Sequence, residues 1–428
     1  MLRSLAILLF VLGTLPMALV EPFVGLLLWI LFSYMNPHRL AYGFAYNFHW
    51  VLLIASLTLF SMLIHPQKRQ PIPWGPVPVL LLLFLLWTAI TTTTAVMESL
   101  AVARWVQFFK IQIMVFATLV LVTDRKRLSW LIWVIVFSFG FWAAKGGLFT
   151  LLKGGHYHVL GPRDTFFTDN NQFALVMCMT LPLMRYLQIQ ARNKWLRYGF
   201  WVLMALTVLS IVGTYSRGGL LALLAVLFML FMKSRSRFGL ILIVLVSAPL
   251  VFNFLPEKWT ARMDTISQYQ HNESAVGRIQ SWEFATNVAI QRPLTAGGFS
   301  VWASSDMWNA YGPPGAVHRA IHSIFFQILG EQGFIGLMLY LSLLFMGWRQ
   351  LALTRRKLSG RADMQWLGDL AGFMQVSMVG FLAAGAFLPQ AYFDFIYQIL
   401  ALSVVMRSLA EKHLLEQDEP GGARLSLG

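Results

Sequence analysis

Apolar residues in this chain run in long continuous blocks near residues 4–35, 47–65, 76–93, 103–123, 127–146, 172–190, 196–213, 217–232, 237–254, 322–348, 366–388 and 391–410. Most approach the roughly 20 residues that carry a helix across a bilayer. Unbroken runs exclude a closed β-barrel, whose strands alternate apolar and polar positions. The pattern predicts an all-α polytopic membrane protein with about 12 transmembrane helices. The first block holds Pro16 and the Glu21-Pro22 step, and proline breaks it into one kinked span or two short ones. Met1-Leu2-Arg3 before an apolar stretch resembles a signal peptide, but no small-residue cleavage site follows, so a retained first helix is expected.

The polar segments orient the spans. Short basic loops recur at Lys68-Arg69, Arg125-Lys126-Arg127, Arg192/Lys194/Arg197, Lys233/Arg235/Arg237 and Arg355-Arg356-Lys357/Arg361. Basic loops face the cytoplasm. All fall inside if residues 4–35 cross once, which leaves both termini cytoplasmic. Segments 36–46, 94–102, 147–171 and 255–321 then lie outside. The organisation expected is N-terminal helices 1–9 over residues 1–254, a large periplasmic loop over 255–321 between predicted helices 9 and 10, helices 10–12 over 322–410, and a polar, disordered cytoplasmic tail over 411–428. A long loop of this kind usually carries function. An amphipathic helix is expected from Arg278 to Ile290, with Ile279, Trp282, Ala285 and Ala289 on one stripe.

Composition narrows the class. The chain of 428 residues is 57% hydrophobic and 12% charged, against about 25% charged in soluble domains. Its net charge of +15 suits anionic lipid headgroups, and no basic domain or motif points to nucleic acid. The lone Cys178 excludes an intrachain disulfide and a zinc–thiolate cluster. No Walker or Rossmann glycine motif, Asp-x-Asp pair or clustered His/Cys/carboxylate set suggests a nucleotide or metal site. An enzyme here needs a lipid-borne donor and metal-free chemistry, without a cofactor.

Several cations oppose the positive-inside bias: Arg39, Arg104, Lys110, Lys145, Lys153, Arg163, Arg217, Lys258, Arg262, Arg278, Arg292 and Arg319. Each alone is ordinarily a snorkelling or ion-paired side chain, whereas the set points to an anionic ligand at the outer interface. Arginine's rigid fork suits phosphate oxygens. Arg217 lies in Thr214-Tyr215-Ser216-Arg217-Gly218-Gly219, a short turn where glycines admit a ligand and a helix begins. Arg278 opens the loop helix and is otherwise a solvated charge. His322 sits where the loop re-enters the membrane, and a helix N-terminus favours its neutral, basic form; the bland alternative is an interfacial histidine, with His318 a nearby decoy. Gly330, Gly333 and Gly336 read as helix-packing residues. In the segment 161–171, Thr168, Asp169 or Asn170 suits a helix cap, while Arg163 and Asn171 could face a site.

At these residues the chain resembles the O-antigen ligase and polymerase superfamily. The matching set is Ser216-Arg217-Gly218, then Gly277-Arg278…Trp282, then Pro293…Gly297-Gly298, then His322 followed by Gly330…Gly333…Gly336. The N-terminal part is similar to exosortase-associated O-glycosylation ligases, in Phe32-Ser33-Tyr34-Met35-Asn36-Pro37-His38-Arg39, Lys145-Gly146-Gly147-Leu148-Phe149-Thr150 and Gly161-Pro162-Arg163. The resemblance implies a GT-C-like architecture in the bacterial inner membrane, with its active site facing the periplasm. It implies a metal-independent, inverting glycosyltransferase that moves glycan from undecaprenyl diphosphate to a sugar hydroxyl of lipid A–core. Arg217 and Arg278 would engage the diphosphate and His322 would be the base. Arg163, Arg104 and Lys110 are further substrate-binding candidates. A polymerase, a protein O-glycosylation ligase and, in a different class, a glycolipid transporter are the rival expectations.

Overall fold

The structure, a computed structural model, describes residues 2–233 and 273–418. These residues fold into α1 (Leu2–Val20), α2 (Pro22–Tyr34), α3 (Phe44–Asn47), α4 (Trp50–Ile64), α5 (Pro76–Thr93), α6 (Glu98–Leu121), α7 (Arg125–Leu152), α8 (Asn170–Gln190), α9 (Lys194–Gly213), α10 (Arg217–Lys233), α11 (Glu273–Gln291), α12 (Ser305–Tyr311), α13 (Ile324–Lys357), α14 (Gln365–Gly385) and α15 (Asp394–Asp418), with no strand among them. Eight of the described helices are long and apolar enough to cross a membrane: α1, α5 to α9, α13 and α14. The expected all-α polytopic class is what folds. The expected span 237–254, the loop up to residue 272 with Lys258 and Arg262, and the tail beyond 418 lie outside the described residues.

Helix α8 is the hub. Every residue from Phe173 to Gln188 is buried, and the helix packs against α7, α9, α10 and α14. An all-round apolar helix gains by sitting in the middle, where neighbours cover every face. Peripheral helices keep one apolar stripe uncovered, such as Leu221, Leu224 and Phe228 on α10 and Met338, Leu341 and Phe345 on α13. At i, i+3 and i+7 spacing these stripes suit lipid, not water.

The basic loops gather at one face. Glu21 pairs with Lys68 and Arg127, each at 3.2 Å. Arg125 lies over the Trp366 ring at 4.5 Å, Lys357 pairs with Glu411 at 3.6 Å, and Arg407 donates to the Pro73 and Trp74 carbonyls.

One topological expectation changes. Residues 4–35 form two helices rather than one continuous run. Glu21 is extended, Pro22 starts a new helix at its first turn, and α1 and α2 fold back on each other as a hairpin. Lys68 donates to Val20 at the basic face, while Arg3 and Ser4, at the other end of α1, donate to the Leu40 and Tyr42 carbonyls beyond α2. The chain therefore starts on the face opposite the basic loops. The charge of Glu21, held by two cations, keeps the hairpin turn at the basic face. At the other end of the chain, α15 continues through Asp418, so residues 411–418 are helical where the polar composition suggested a disordered tail.

The described part of the large loop is a small domain with its own core of Phe284, Ala285, Val288, Ala296, Val301, Met307, Trp308 and Ile321. Phe284 stacks on Trp308 at 4.1 Å. Helix α11 forms as expected, but its buried stripe runs through Ser281, Phe284, Ala285, Val288 and Ala289, while Ile279 is 49% exposed. The larger Phe284 and Val288 set the inward face and turn Ile279 out. The loop docks on α13 through Trp282, which stacks on Phe326 at 5.2 Å.

The three glycines of α13 each permit a close approach. A side chain on Gly330 would press on Ala285 of α11, and one on Gly336 would meet the Trp87 indole of α5. Gly333 does more than pack: its φ of 71° breaks the helix. There Trp87 Nε1 donates to the Gln332 carbonyl and Phe334 N donates to Pro293 O at 3.0 Å. The freed backbone groups are satisfied by the loop and by α5, as buried groups at membrane depth must be.

Candidate functional site

Three separate stretches bring charged side chains together on the face opposite the basic loops. The first is the α9–α10 turn. Ser216 caps α10 by accepting from Gly219 N at 3.0 Å, so Arg217 occupies the first helical position. Tyr215 takes a left-handed φ of 57°, and its hydroxyl donates to Gly155 O. Gly219 lies against Ala174, where a Cβ would fall 2.4 Å from the alanine methyl. That contact seats the turn on α8.

The second stretch is the start of α8. Asp169 caps it by accepting from Asn171 N at 2.8 Å, in a capping box with Gln172. Asn170 donates from its side chain to Thr214 O at 2.8 Å, which draws the cap against the turn that carries Arg217. The third is the junction of loop and membrane. Trp282 Nε1 donates to His322 O at 3.1 Å, and the Arg319 guanidinium packs directly on Gly277. The loop helix carrying Arg278 is thereby pinned over the start of α13.

The charges of these groups act on one another. Burial, then the positive charge of Arg217, holds the Arg278 guanidinium below its ordinary range, with Asp169 opposing. Burial, then Arg278 and Arg319, holds the His322 imidazole below its usual value, again with Asp169 opposing. His322 is kept neutral chiefly by desolvation and by two arginines, rather than by the helix end suggested by sequence. Among the described residues Arg217, Arg278, Arg319 and Asp169 gather here, and the guanidinium fork suits phosphate oxygens. A neutral imidazole beside it can accept a proton.

Arg319 and Asp169 belong to this cluster, although sequence placed the first only among misplaced cations and read the second only as a cap. Asp169 does cap, and the same carboxylate faces the arginines. Other cations find ordinary partners: Arg39 pairs with Asp164 at 3.6 Å, Lys145 lies over Trp142 at 4.7 Å, and Arg292 donates to Thr94 O at 3.0 Å.

Beside the cluster lies a cavity of about 1220 Å³. Its walls come from α2, α4, α6, the loop around Phe299 to Trp302, α13 and residues 389–394. Arg104 and Lys110 line it; Arg163, Arg217, Arg278 and His322 do not. Arg163 is exposed. Gln172 and Ala320 also line the cavity, so it reaches the neighbourhood of the α8 cap and of His322. Burial, then Arg39, pushes the His38 imidazole down to about 4, so this lining residue is neutral at ordinary pH.

Residues 2–192, which hold most of the cavity wall and Asp169, match a model described as a family of unknown function (DUF5935). No curated protein matches the chain. Residues 202–341 match the O-antigen ligase family model; this stretch contains Arg217, Arg278 and His322, and the match supports the O-antigen ligase superfamily.

Proposed function

We propose that the protein is an O-antigen ligase that transfers glycan from undecaprenyl diphosphate to a sugar hydroxyl of lipid A–core at the periplasmic face of the bacterial inner membrane. The observation that carries this reading is the convergence of Arg217, Arg278 and a neutral His322 from separate segments. Arg217 and Arg278 bind the diphosphate while its polyprenyl tail stays in lipid. The acceptor hydroxyl attacks the anomeric carbon, its proton passes to His322, and the anomeric carbon–oxygen bond to the diphosphate breaks. Undecaprenyl diphosphate leaves, and direct attack inverts the anomeric configuration. The arginines stabilise the charge gathering on the leaving group, an electrostatic contribution that often dominates catalysis. No step calls for a metal or cofactor.

The test uses purified protein in liposomes with a lipid-linked glycan and separate acceptors. A new glycosidic bond to lipid A–core without ATP or added metal supports the ligase. Extension of a second lipid-linked glycan assigns a polymerase, and glycan on a secreted protein assigns a protein ligase. Movement of donor with no new bond assigns a transporter and overturns the proposal.

A further inference from the structure

Two carboxyl side chains line the cavity and are left out of the chemistry above. Glu331 on α13 is 2% exposed and Asp394 at the start of α15 is 3% exposed. One oxygen of Glu331 accepts from Ser300 N at 3.1 Å. The Tyr392 hydroxyl and the Gln327 amide stand beside the Glu331 carboxyl group, while Oδ1 of Asp394 is buried without a hydrogen-bond partner. Buried acceptors are almost always satisfied, so each exception calls for an explanation. Both residues line the same cavity of about 1220 Å³, a size within the range of small-ligand sites.

The occupant is constrained by charge. Arg39, Arg104 and Lys110 line this cavity along with Asp164, Glu331 and Asp394, so acidic groups stand among the cationic ones. That is unlike the arginine cluster next to it, which favours an anion. A carboxyl group accepts readily from hydroxyl groups. Tyr392 and Trp302 add aromatic wall. The ligand chemistry that fits is a neutral, hydroxyl-rich molecule entering from the neighbourhood of His322.

We propose that this cavity is the acceptor-saccharide subsite, in which the unpaired Oδ1 of Asp394 and the Glu331 carboxyl group beside it accept hydrogen bonds from hydroxyls of the accepting glycan. The assignment rests on the ligase reading and divides the two substrates: the diphosphate goes to Arg217 and Arg278, and the acceptor sugars go to the carboxyl-bearing cavity.

Binding tests it with the full chain in nanodiscs. The probes are core oligosaccharide freed of lipid and phosphate, and undecaprenyl diphosphate. Glu331→Gln keeps the oxygen that holds Ser300, and Asp394→Asn is of equal size. Each should weaken oligosaccharide binding roughly tenfold and leave undecaprenyl diphosphate binding within about twofold. Arg278→Ala should do the reverse. Retained undecaprenyl diphosphate binding reports that a variant is folded. Should either isostere lose it, Ala55→Phe, which narrows the cavity from α4, must still weaken the oligosaccharide alone. Oligosaccharide that binds wild type and all cavity variants equally, or does not bind wild type, overturns the subsite. Failure of wild type to bind undecaprenyl diphosphate overturns the donor reading instead.

Discussion

At the scale of single residues, His322 carries the most specific expectation. Burial and two arginines lower its affinity for a proton, so it stays a base below the usual imidazole value of about 6.5. The acid limb of kcat/KM for transfer should therefore fall below that value. Arg319→Gln removes one cause and should move the limb upward, with a smaller change at its plateau. An acid limb that does not respond to Arg319 would exclude His322 as the titrating base. The linkage has a definite sign. A histidine favoured neutral in the folded state contributes stability above the unfolded pKa, and loses it as pH falls toward the folded one. Arg217→Ala should lower turnover by roughly 100-fold or more while leaving insertion and the thermal midpoint nearly unchanged. Arg217 and Arg278 were marked in the sequence because charge on the outer side is unusual, and His322 because it sits where the loop re-enters the membrane. Asp169 was not singled out, because a helix cap explains it fully at the local level; its second role depends on Asn170 reaching Thr214 across 44 positions of chain.

At the scale of elements, the interrupted helix α13 ties the loop to the membrane part. Gly333 has a left-handed φ, and a Cβ there would fall 2.1 Å from the Leu294 carbonyl oxygen. Gly333→Ala should cost roughly 1–3 kcal/mol and loosen the 293–300 segment. That segment holds the Ser300 amide bonded to Glu331 and the Gly297 amide bonded to the Gly330 carbonyl. Limited proteolysis should cut this segment faster in the variant, and transfer should fall with it; unchanged cleavage would mean the break in α13 is not what fixes the loop. Sequence marked these glycines by spacing and assigned them to helix packing, which holds for Gly330 and Gly336. A backbone sign change at Gly333 leaves no mark in hydropathy. The stripe of α11 shows the same limit, since periodicity locates the helix while Phe284 and its partner Trp308, 24 residues on, decide which face turns in.

At the scale of the whole molecule, charge asymmetry and the first hairpin fix where the chain starts. The basic loops lie together at one face, and Glu21 joins them through Lys68 and Arg127. Hydropathy could not decide whether residues 4–35 cross once or twice, because α1 and α2 are both apolar and only the contacts of their ends separate the two cases. Those contacts place Arg3 and Ser4 with the Leu40–Tyr42 segment, at the end of α1 opposite Glu21. Cysteine labelling can test this with little background, since the native Cys178 is buried. Leu2 is 84% exposed, Val317 in the loop 63% and Trp195 in a basic loop 73%, so each tolerates replacement by cysteine without disturbing the core. In intact spheroplasts an impermeant maleimide should modify Leu2→Cys together with Val317→Cys, and should reach Trp195→Cys only after permeabilisation. Modification of Leu2→Cys in company with Trp195→Cys would instead restore a single crossing of residues 4–35. It would also place Arg3 at the basic face and uncouple the first helix from the segment that carries His38 and Arg39 into the cavity wall.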